Sequence, residues 1–451
     1  MSLPVTLHQI AELLGCGLPE HNADVAAVVI DSRKVTDAAL FVALPGQHVD
    51  GHDYLAAARQ AGACAALVSR PVDDPLPQLV VNDVVVAFAS IAHFWRQQSH
   101  AKVVAITGSN GKTTLKEMTA AILREAGSVL STEGNLNNEL GVPLTLCRLQ
   151  NHHQYAVIEM GANHPGEIGR LVKIAAPDIA IINNVSAAHI EGFGSEMGVA
   201  QAKGEIYAGL PLTGKAVINA DMPYVGLWRQ LLAGKCAVTF ALDAEADIKA
   251  LDLNLSPTSN HFMVMLDGVC HFVTLPLPGI HNVANGLAAI ALTSSLGISA
   301  EAIVKGLGNI RAVPHRLQLR QANPAGMLID DTYNANPGSF SRAIEVLKSF
   351  PGRHWLVLGD FGELGPQALQ IHRQLGEQAK QAGVHRLFTV GTMSIEAAQA
   401  FGEGAQHFTD KTELQRHLQS NLYPEVVCLV KGSRFMKLDQ LADAMSAEED
   451  G

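Results

Sequence analysis

The 451-residue sequence lacks the features that mark several special classes of protein. Charged residues make up 17 % and aromatic residues 5 % of the chain, while the apolar set reaches 48 %, so the chain is neither disordered nor fibrous. No run of lysine and arginine occurs, and 32 basic against 43 acidic residues give a formal net charge of -11. We therefore expect no nucleic acid partner, but the net charge does not exclude local binding sites for small anionic ligands.

Cysteine is sparse, and signals for secretion or membrane insertion are missing. The six cysteines are far apart and form no CxxC pair, which predicts buried thiols rather than a zinc ribbon or a disulfide framework. The opening segment MSLPVTLHQIAELLG has neither a basic region nor a sustained apolar core, and Asp83 interrupts the most apolar early stretch. We expect no signal peptide and no membrane span, and hence a cytoplasmic protein.

The length and the succession of patterns predict an α/β protein of about three domains, at about 150 residues for each. Residues 1–83 hold short apolar runs and one helical stretch, and a Pro-rich segment closes this small module. Residues 84–312 hold a second βα pattern, interrupted from about Val238 to Leu277 by a polar stretch that resembles an inserted antiparallel sheet. Residues 313–451 hold four apolar strands, each followed by a helical stretch, which predicts a parallel doubly wound domain.

A glycine loop between a strand and a helix is the strongest local signal. The apolar run Val103–Thr107 precedes it, and an amphipathic helical pattern follows. Glycines let the backbone wrap phosphates at the helix N-terminus, Lys112 would neutralise phosphate charge, and Thr113 would ligate Mg²⁺. The loop reads GxxGKT and departs from the usual GxxxxGK[ST] pattern, whose first glycine would fall on Ile106. A plain βα turn is the alternative to a phosphate site. The residues of the predicted site are Thr107, Gly108, Ser109, Asn110, Gly111, Lys112, Thr113 and Thr114.

Three polar residues further along the chain are candidates for the same site. Glu159 ends the apolar run Tyr155–Ile158, and ligands bind at the carboxyl ends of strands in open α/β sheets. Beside a phosphate loop this carboxylate is a suitable Mg²⁺ ligand, although in isolation a strand-end glutamate more often faces solvent. His189 follows a second strand, and a lone histidine is more often structural. Lys203 lies in a helical stretch, where a solvated surface lysine is the ordinary interpretation.

Five motifs, in their order, resemble those of the Mur ligase family, and the resemblance covers essentially the whole chain. The motifs are GxxGKT, EMGANHPGEI, NNVSAAHIEGFGS, PGIHNVANGLAA and DDTYNANPGS. The resemblance implies a small N-terminal UDP-binding domain, a central P-loop ATPase domain and a C-terminal Rossmann-like domain. It also implies an ATP-dependent ligase, in which a substrate carboxylate attacks the γ-phosphate of ATP and an incoming amine attacks the resulting acyl phosphate. Closure of the C-terminal domain would keep water from that intermediate.

The resemblance also implies roles for individual residues. Thr113 and Glu159 look like ligands of one Mg²⁺, and His189 with a carbamylated Lys203 looks like a second metal pair. The implied catalytic residues are Lys112, Glu159, His189 and Lys203. The positions that match contacts to adenine, phosphate and ribose of ATP are Asn282, Arg316 and Asp331, respectively. The residues that resemble the site for a UDP-muramoyl-peptide are Ser32, Arg33, Thr132, Asn135, Asn137 and Asn138. From the residues alone, a polar helix cap is the alternative for Asn282, and for Arg33 a surface arginine is about as well supported as a pyrophosphate contact.

Within the family, the C-terminal half most resembles the member that adds D-alanyl-D-alanine. GDFGELG at Gly359–Gly365 and KGSR at Lys431–Arg434 carry this resemblance, and the DNPR-type signature of a ligase that selects meso-diaminopimelate is absent. The implied reaction joins D-alanyl-D-alanine to UDP-N-acetylmuramoyl-tripeptide and yields the UDP-pentapeptide, ADP and phosphate, in the cytoplasmic stage of peptidoglycan synthesis. We expect a monomer. The residues that hold the dipeptide, and the third residue of the tripeptide, stay unassigned.

Two other interpretations compete with this one. A folylpolyglutamate synthase shares the central loop, but the Asp31–Arg33 motif of the first domain argues against it. A nucleotide-gated switch without synthetic chemistry is disfavoured because no guanine-type NKxD occurs and no DxxG follows the loop.

Overall fold

The chain forms four β-sheets in succession, in a computed structural model that describes residues 5–46, 49–186 and 190–447. Two sheets are wholly parallel, one is parallel except for an edge strand, and one is antiparallel. Apolar strands that are buried on both faces need helices on both sides, which gives this α/β layering. The predicted α/β fold class is confirmed.

The first sheet is small and has the parallel order β1-β2-β3-β4. Its elements are α1 (Leu7–Leu14), β1 (Ala27–Val29), β2 (Ala39–Val42), α2 (Leu55–Gln60), β3 (Ala63–Val68) and β4 (Gln78–Val80), with 3-10 turns at Ser32–Lys34 and Gly51–Tyr54. The first helix was not anticipated, although its ends are marked in the sequence. Thr6 and Gln9 form a reciprocal capping box at its start, and Gly15 adopts the left-handed conformation at its end.

The central sheet has seven parallel strands in the order β11-β10-β9-β8-β5-β7-β6. Its strands are β5 (Lys102–Thr107), β6 (Val129–Ser131), β7 (Tyr155–Glu159), β8 (Ile179–Ile182), β9 (Lys215–Asn219), β10 (Ala237–Ala241) and β11 (Ile248–Lys249). Its helices are α3 (Val84–Gln97), α4 (Lys112–Arg124), α5 (Gly141–Leu146), α6 (Glu167–Ala175), α7 (Ile190–Phe193), α8 (Glu196–Ala208) and α9 (Val225–Leu232). The chain leaves β5 toward one edge and returns past it to β8. This reversal makes the carboxyl end of β5 a topological switch point.

The third sheet is antiparallel and is smaller than expected. It consists of β12 (Leu251–Leu255), β13 (Asn260–Leu266) and β14 (Val269–Leu275), and α10 (Ile280–Ser295) and α11 (Ala300–Gly308) follow it. The prediction that the inserted sheet begins near Val238 was wrong, because Val238 pairs in parallel with Val217 in the central sheet. Strand β10 is short and partly exposed at its start, and a strand of this kind occurs in both parallel and antiparallel sheets, so the pattern alone did not separate them.

The C-terminal sheet has six strands in the order β15-β16-β20-β17-β18-β19. Its strands are β15 (Gln318–Gln321), β16 (Met327–Asp331), β17 (Arg353–Gly359), β18 (Arg386–Val390), β19 (Ala405–Phe408) and β20 (Val426–Lys431). Its helices are α12 (Pro337–Ser349), α13 (Ala368–Gln381), α14 (Ile395–Phe401), α15 (Lys411–Asn421) and α16 (Asp439–Met445). The four predicted strands are β16, β17, β18 and β20. The short polar strands β15 and β19 were missed, and β15 is antiparallel to β16.

Helix α3 joins the first sheet to the central sheet through one continuous core. Phe88, Ile91 and Trp95 are fully buried on it, and Trp95 donates its indole N–H to the carbonyl of Leu149 at 3.1 Å. These three side chains lie on one face of α3, in a core that also contains strand residues of both sheets, and this shared core fixes the two sheets relative to each other. Among the helices that the structure describes, we find none of the length and apolarity needed to cross a membrane.

Candidate active site

A cleft of about 600 Å³ opens at the carboxyl edge of the central sheet, and residues of the C-terminal domain form its opposite wall. Clefts at such a switch point are the usual ligand sites of open α/β sheets. The candidate residues that line it are Ser109, Asn110, Gly111, Lys112, Thr113, Thr114, Asn135, Asn137, Asn138, Glu159, Lys203, Asn282, Arg316 and Asp331. The structure therefore brings together residues that lie more than two hundred positions apart in sequence.

The glycine loop connects β5 to the N-terminus of α4. Gly111 has a φ of 74°, and a Cβ atom there would lie 2.9 Å from the side chains of Asn183 and Asn285, so glycine is required. The loop amides lie at the first turn of a thirteen-residue helix, where unpaired N–H groups and the helix dipole attract anions. The predicted strand, loop and helix are all present.

Lys112 is the first residue of α4 and folds back over the loop. Its ammonium donates to the carbonyl oxygen of Gly108 at 2.8 Å. Burial lowers the pKa of Lys112, Arg316 lowers it further, and the opposing charge of Glu159 raises it. A phosphate in the cleft would supply a further anionic partner for this ammonium.

Glu159 is held rigidly at the end of β7. It is 3 % exposed, and its two carboxylate oxygens accept hydrogen bonds from Thr113 Oγ1 at 2.9 Å and Asn137 Nδ2 at 2.8 Å. Its backbone N–H donates to the hydroxyl of Thr132 at 2.9 Å. A carboxylate and a hydroxyl in contact beside a phosphate loop are the oxygen donors that Mg²⁺ prefers.

Lys203 of α8 is a buried lysine, and no carboxylate pairs with it in the part of the chain that the structure describes. Its side chain is 2 % exposed, and no hydrogen-bond partner of its ammonium lies within residues 5–46, 49–186 and 190–447. Burial lowers the pKa of Lys203 well below its ordinary value, and Lys112 lowers it further. Burial therefore disfavours the charged form of this amine. His189, the predicted partner of Lys203, lies outside the described residues.

A network of asparagine amides supports the glycine loop, and the sequence analysis missed it. Asn183 Nδ2 donates to the Asn110 carbonyl at 3.1 Å and to Asn285 Oδ1 at 2.8 Å. Asn184 accepts from the Asn110 N–H at 2.9 Å and donates back to the Asn110 carbonyl at 2.9 Å. The amide of Asn285 bonds in turn to Asn282 at 3.2 Å. The available signals were two amides after an apolar strand and a second asparagine one helical turn after Asn282.

The C-terminal wall of the cleft presents Arg316 and Asp331. Arg316 lies between two left-handed residues, His315 and Leu317, and its guanidinium stacks over the Tyr333 ring at 3.9 Å. Its buried Nε has no hydrogen-bond partner in the part of the chain that the structure describes. Asp331 pairs with Lys431 and accepts from the Leu317 N–H at 3.2 Å. Backbone strain beside a stacked arginine is typical of a functional position.

One hydrogen bond crosses the cleft directly. Asn336, which caps α12, donates from Nδ2 to Oδ1 of Asn110 in the glycine loop at 2.9 Å. Asn110 also donates to the hydroxyl of Ser186 at 2.9 Å. The C-terminal domain therefore contacts the phosphate loop itself.

Several candidate residues do not line the cleft. Thr107 is fully buried, and its hydroxyl donates to the Met160 carbonyl at 2.8 Å. Gly108 accepts a hydrogen bond from Lys112, and Thr132 accepts one from the Glu159 N–H. Ser32 and Arg33 lie in a 3-10 turn of the first domain, where Arg33 is 87 % exposed and pairs with Asp31 at 2.8 Å. The pKa of Glu133 is lowered mainly by Arg148, with a contribution from Lys34, so this turn lies near the loop after β6.

A glycine loop at the switch point of a parallel sheet, with a clamped carboxylate beside it and a second doubly wound sheet across the cleft, defines a nucleotide-dependent α/β enzyme of the P-loop class. The chain belongs to the Mur ligase family. Models of the family's catalytic domain, middle domain and glutamate ligase domain match residues 24–121, 106–293 and 315–434. The predicted family, and with it the class of ATP-dependent amide-bond-forming ligase, is confirmed.

Individual relatives are similar to this chain in sequence and structure over nearly its whole length. The sequence is 45 % identical to UDP-N-acetylmuramoyl-tripeptide–D-alanyl-D-alanine ligase of Escherichia coli (strain K12), over 98 % of each chain. The crystal structure I of MurF from Acinetobacter baumannii is 36 % identical and superposes with a TM-score of 0.91, covering 98 % of this chain and 99 % of that one. MurF ligase of Thermotoga maritima in complex with ADP is 28 % identical, with a TM-score of 0.83 and coverage of 93 % and 96 %.

Proposed function

We propose that this chain joins D-alanyl-D-alanine to UDP-N-acetylmuramoyl-tripeptide with ATP, giving UDP-N-acetylmuramoyl-pentapeptide, ADP and phosphate. The observation that carries the proposal is the shared cleft, in which the phosphate loop and Glu159 face Arg316 and Asp331. The Escherichia coli relative is named as a ligase of these two substrates, which supports their choice. The domains that we assign to the acceptor, to ATP and to the incoming dipeptide are residues 1–83, 84–312 and 313–451.

The ATP phosphates would lie on the loop amides at the start of α4. Lys112 would bind the γ-phosphoryl oxygens, and Arg316 would add a second cation from the opposite wall. Asp331 is oriented by its ion pair with Lys431 and its hydrogen bond from the Leu317 N–H, so its carboxylate is suited to accept a hydrogen bond from a ribose hydroxyl. Asn282, two residues into the first turn of α10, would contact adenine.

The donor set fits magnesium. Thr113 Oγ1 and Glu159 Oε2 are 2.9 Å apart and lie beside the phosphate loop, so one cation could contact both. A bound Mg²⁺ would neutralise charge on the β- and γ-phosphates. We assign Thr113 and Glu159 to this ion, and Lys203 with His189 to a second one.

Lys203 suits the second site only after modification. Its neutral amine can attack the carbon of carbon dioxide, forming an N–C bond and losing one proton, which leaves a carbamate anion. The modification converts a buried neutral amine into an anionic oxygen ligand, whose charge a bound metal cation would balance. We therefore propose that Lys203 is carbamylated in the active enzyme.

The acceptor would approach from the loop after β6. Thr132, Asn135, Asn137 and Asn138 lie on this loop, and Asn137 is bonded to Glu159. The acceptor carboxylate oxygen attacks the γ-phosphorus, and ADP leaves. The dipeptide amine then attacks the acyl carbon, phosphate departs with the acyl oxygen, and the nitrogen releases a proton. The Asn336–Asn110 bond holds the two walls together and helps to exclude water.

Ser32 and Arg33 of the first domain would hold the uridine diphosphate. Opening of the Asp31–Arg33 pair would free the guanidinium for a pyrophosphate, to which arginine binds as a planar fork. We also propose a cytoplasmic location, because nucleotide-linked acceptors and ATP are cytoplasmic substrates. The proposed oligomeric state is a monomer.

Phosphate release is the direct test. The purified protein is incubated with ATP and UDP-N-acetylmuramoyl-tripeptide, with and without D-alanyl-D-alanine, and the nucleotide product is analysed by mass spectrometry. Release that requires both partners, together with a UDP-pentapeptide, is the expected result. Turnover with a single amino acid instead of the dipeptide would assign the chain to another member of the family.

A further inference from the structure

Lys116 is a buried cation to which the proposed reaction gives no role. It lies on α4, one helical turn after Lys112, and only 2 % of it is exposed. Its ammonium donates to the carbonyl oxygen of Thr132 at 2.5 Å and lies 2.9 Å from a carboxylate oxygen of Glu117. Burial of a charged group is unfavourable unless its partners compensate, so a lysine in this helix needs a specific reason.

Thr132 is the point at which the chain leaves β6 for the acceptor loop. Its N–H donates to the Val157 carbonyl at 3.0 Å, and its hydroxyl accepts from the Glu159 N–H at 2.9 Å. Both of these bonds join Thr132 to β7. The Lys116 bond to the carbonyl oxygen joins the same residue to the phosphate-loop helix.

The segment that follows, Thr132–Asn138, is attached to the site at its other end as well. Asn137 donates to Glu159 at 2.8 Å and accepts from the Gly161 N–H at 2.8 Å. Glu159 in turn accepts from Thr113, the second residue of α4. The acceptor segment and the phosphate-loop helix are thus joined twice, through Lys116 at one end and through Glu159 at the other.

We propose that Lys116 is a positioning residue that fixes the acceptor segment Thr132–Asn138 relative to the phosphate loop. The attacking carboxylate and the γ-phosphate must be held within a fraction of an ångström of the reactive geometry, and only a rigid connection between their binding segments achieves this. The identity of the acceptor rests on the proposed function. The mechanical connection does not.

The substitution Lys116→Met tests the connection, because methionine keeps an unbranched apolar stem and removes the donor. In protein without ligands, we expect the amides of Leu136 and Asn137 to exchange hydrogen at least about tenfold faster than in the wild type. In steady-state assays, KM for UDP-N-acetylmuramoyl-tripeptide should rise by about tenfold, while KM for ATP changes by less than about threefold.

Two control variants separate this role from general stability. Thr119→Val removes a fully buried hydrogen bond, 2.8 Å long, within the same helix, and Glu117→Gln removes only the partly exposed counter-charge. Both should leave the exchange of Leu136 and Asn137 unchanged. Equal exchange in wild type and Lys116→Met, or equal acceleration in Thr119→Val, overturns the proposal, as does a common rise in both KM values.

The hydrogen-exchange comparison also distinguishes the two proposals. If the wild-type protein fails to use the UDP-linked tripeptide, the proposed function fails. The exchange rates of the acceptor segment in Lys116→Met still decide whether Lys116 fixes it.

Discussion

The two large sheets present their carboxyl edges to the same cleft but equip them differently. At the central sheet, the asparagine amides and Glu159 are already paired, as in the hydrogen bond from Asn183 to Asn285 and the two hydrogen bonds to Glu159. At the C-terminal sheet, positive charge is in excess, since Arg316, Arg342 and Lys431 all line the cleft. One wall is therefore preorganised, and the other brings charge to an anion.

The consequence for binding differs between the walls. Preorganised amides need no rearrangement when phosphate arrives, which is how electrostatic stabilisation of a transition state becomes large. The cations of the second wall disfavour additional positive charge: burial, together with the charges of Arg342 and Lys431, lowers the pKa of His281 to about 3. An anionic ligand would relieve this repulsion, so binding and closure of the domains should favour each other.

The largest effect should come from removing the cation of the preorganised wall. We expect Lys112→Ala to lower phosphate release by about 10³-fold or more, because the developing charge on the γ-phosphoryl group loses its nearest cation. Lys215→Ala, at an exposed lysine that bonds to the Ser295 carbonyl at 2.7 Å, is the matched control. Near-normal turnover by Lys112→Ala would refute the assignment of the loop.

A smaller effect should follow a change in the cationic wall. Arg316→Lys keeps the charge but loses the planar fork and the stacking on Tyr333, 3.9 Å away, so kcat/KM for ATP should fall by about 30-fold. Arg373→Lys, at an exposed arginine paired with Glu377 at 3.7 Å, should leave it unchanged. If Arg316→Lys were as active as the wild type, a point charge would suffice and the two walls would be less distinct.

The smallest effect concerns pH. Because the pKa of His281 is about 3 in the folded chain and about 6.5 when unfolded, its contribution to stability is complete at high pH and is lost as pH falls through this interval. Between pH 8 and pH 5 the loss should be about 1–2 kcal/mol. Urea unfolding at both pH values should show this loss in the wild type and in His21→Gln, an exposed control, but not in His281→Gln. An undiminished pH effect in His281→Gln would contradict it.

The sequence was most informative where neighbouring residues form one local unit. The run from Val103 to Thr114 predicts a strand, a glycine loop and a helix start, and all three are present, because helix-terminal amides and glycine conformations are local properties. The strands near the sheet edge were less predictable. Val238 lies in β10, a short and partly exposed strand whose sequence does not reveal whether its neighbour is parallel.

Contacts between distant segments were beyond local patterns. Glu159 was predicted as a site residue because of the phosphate loop before it, and Lys203 only by resemblance to a family. The burial of both was not evident from a strand-end carboxylate or a helical lysine. Lys116 has the same helical context as any surface lysine, and only the packing of α4 against the Thr132 carbonyl distinguishes it.

The sequence by itself determined the α/β class, the phosphate loop and, through ordered motifs, the family. Tertiary structure decided which polar groups are paired, which remain free to meet a ligand, and how two walls from different domains meet at Asn110 and Asn336. The physical reason is that loop conformation and periodic burial depend on adjacent residues. Charge state, desolvation and hydrogen-bond partnership depend on atoms that only folding brings together.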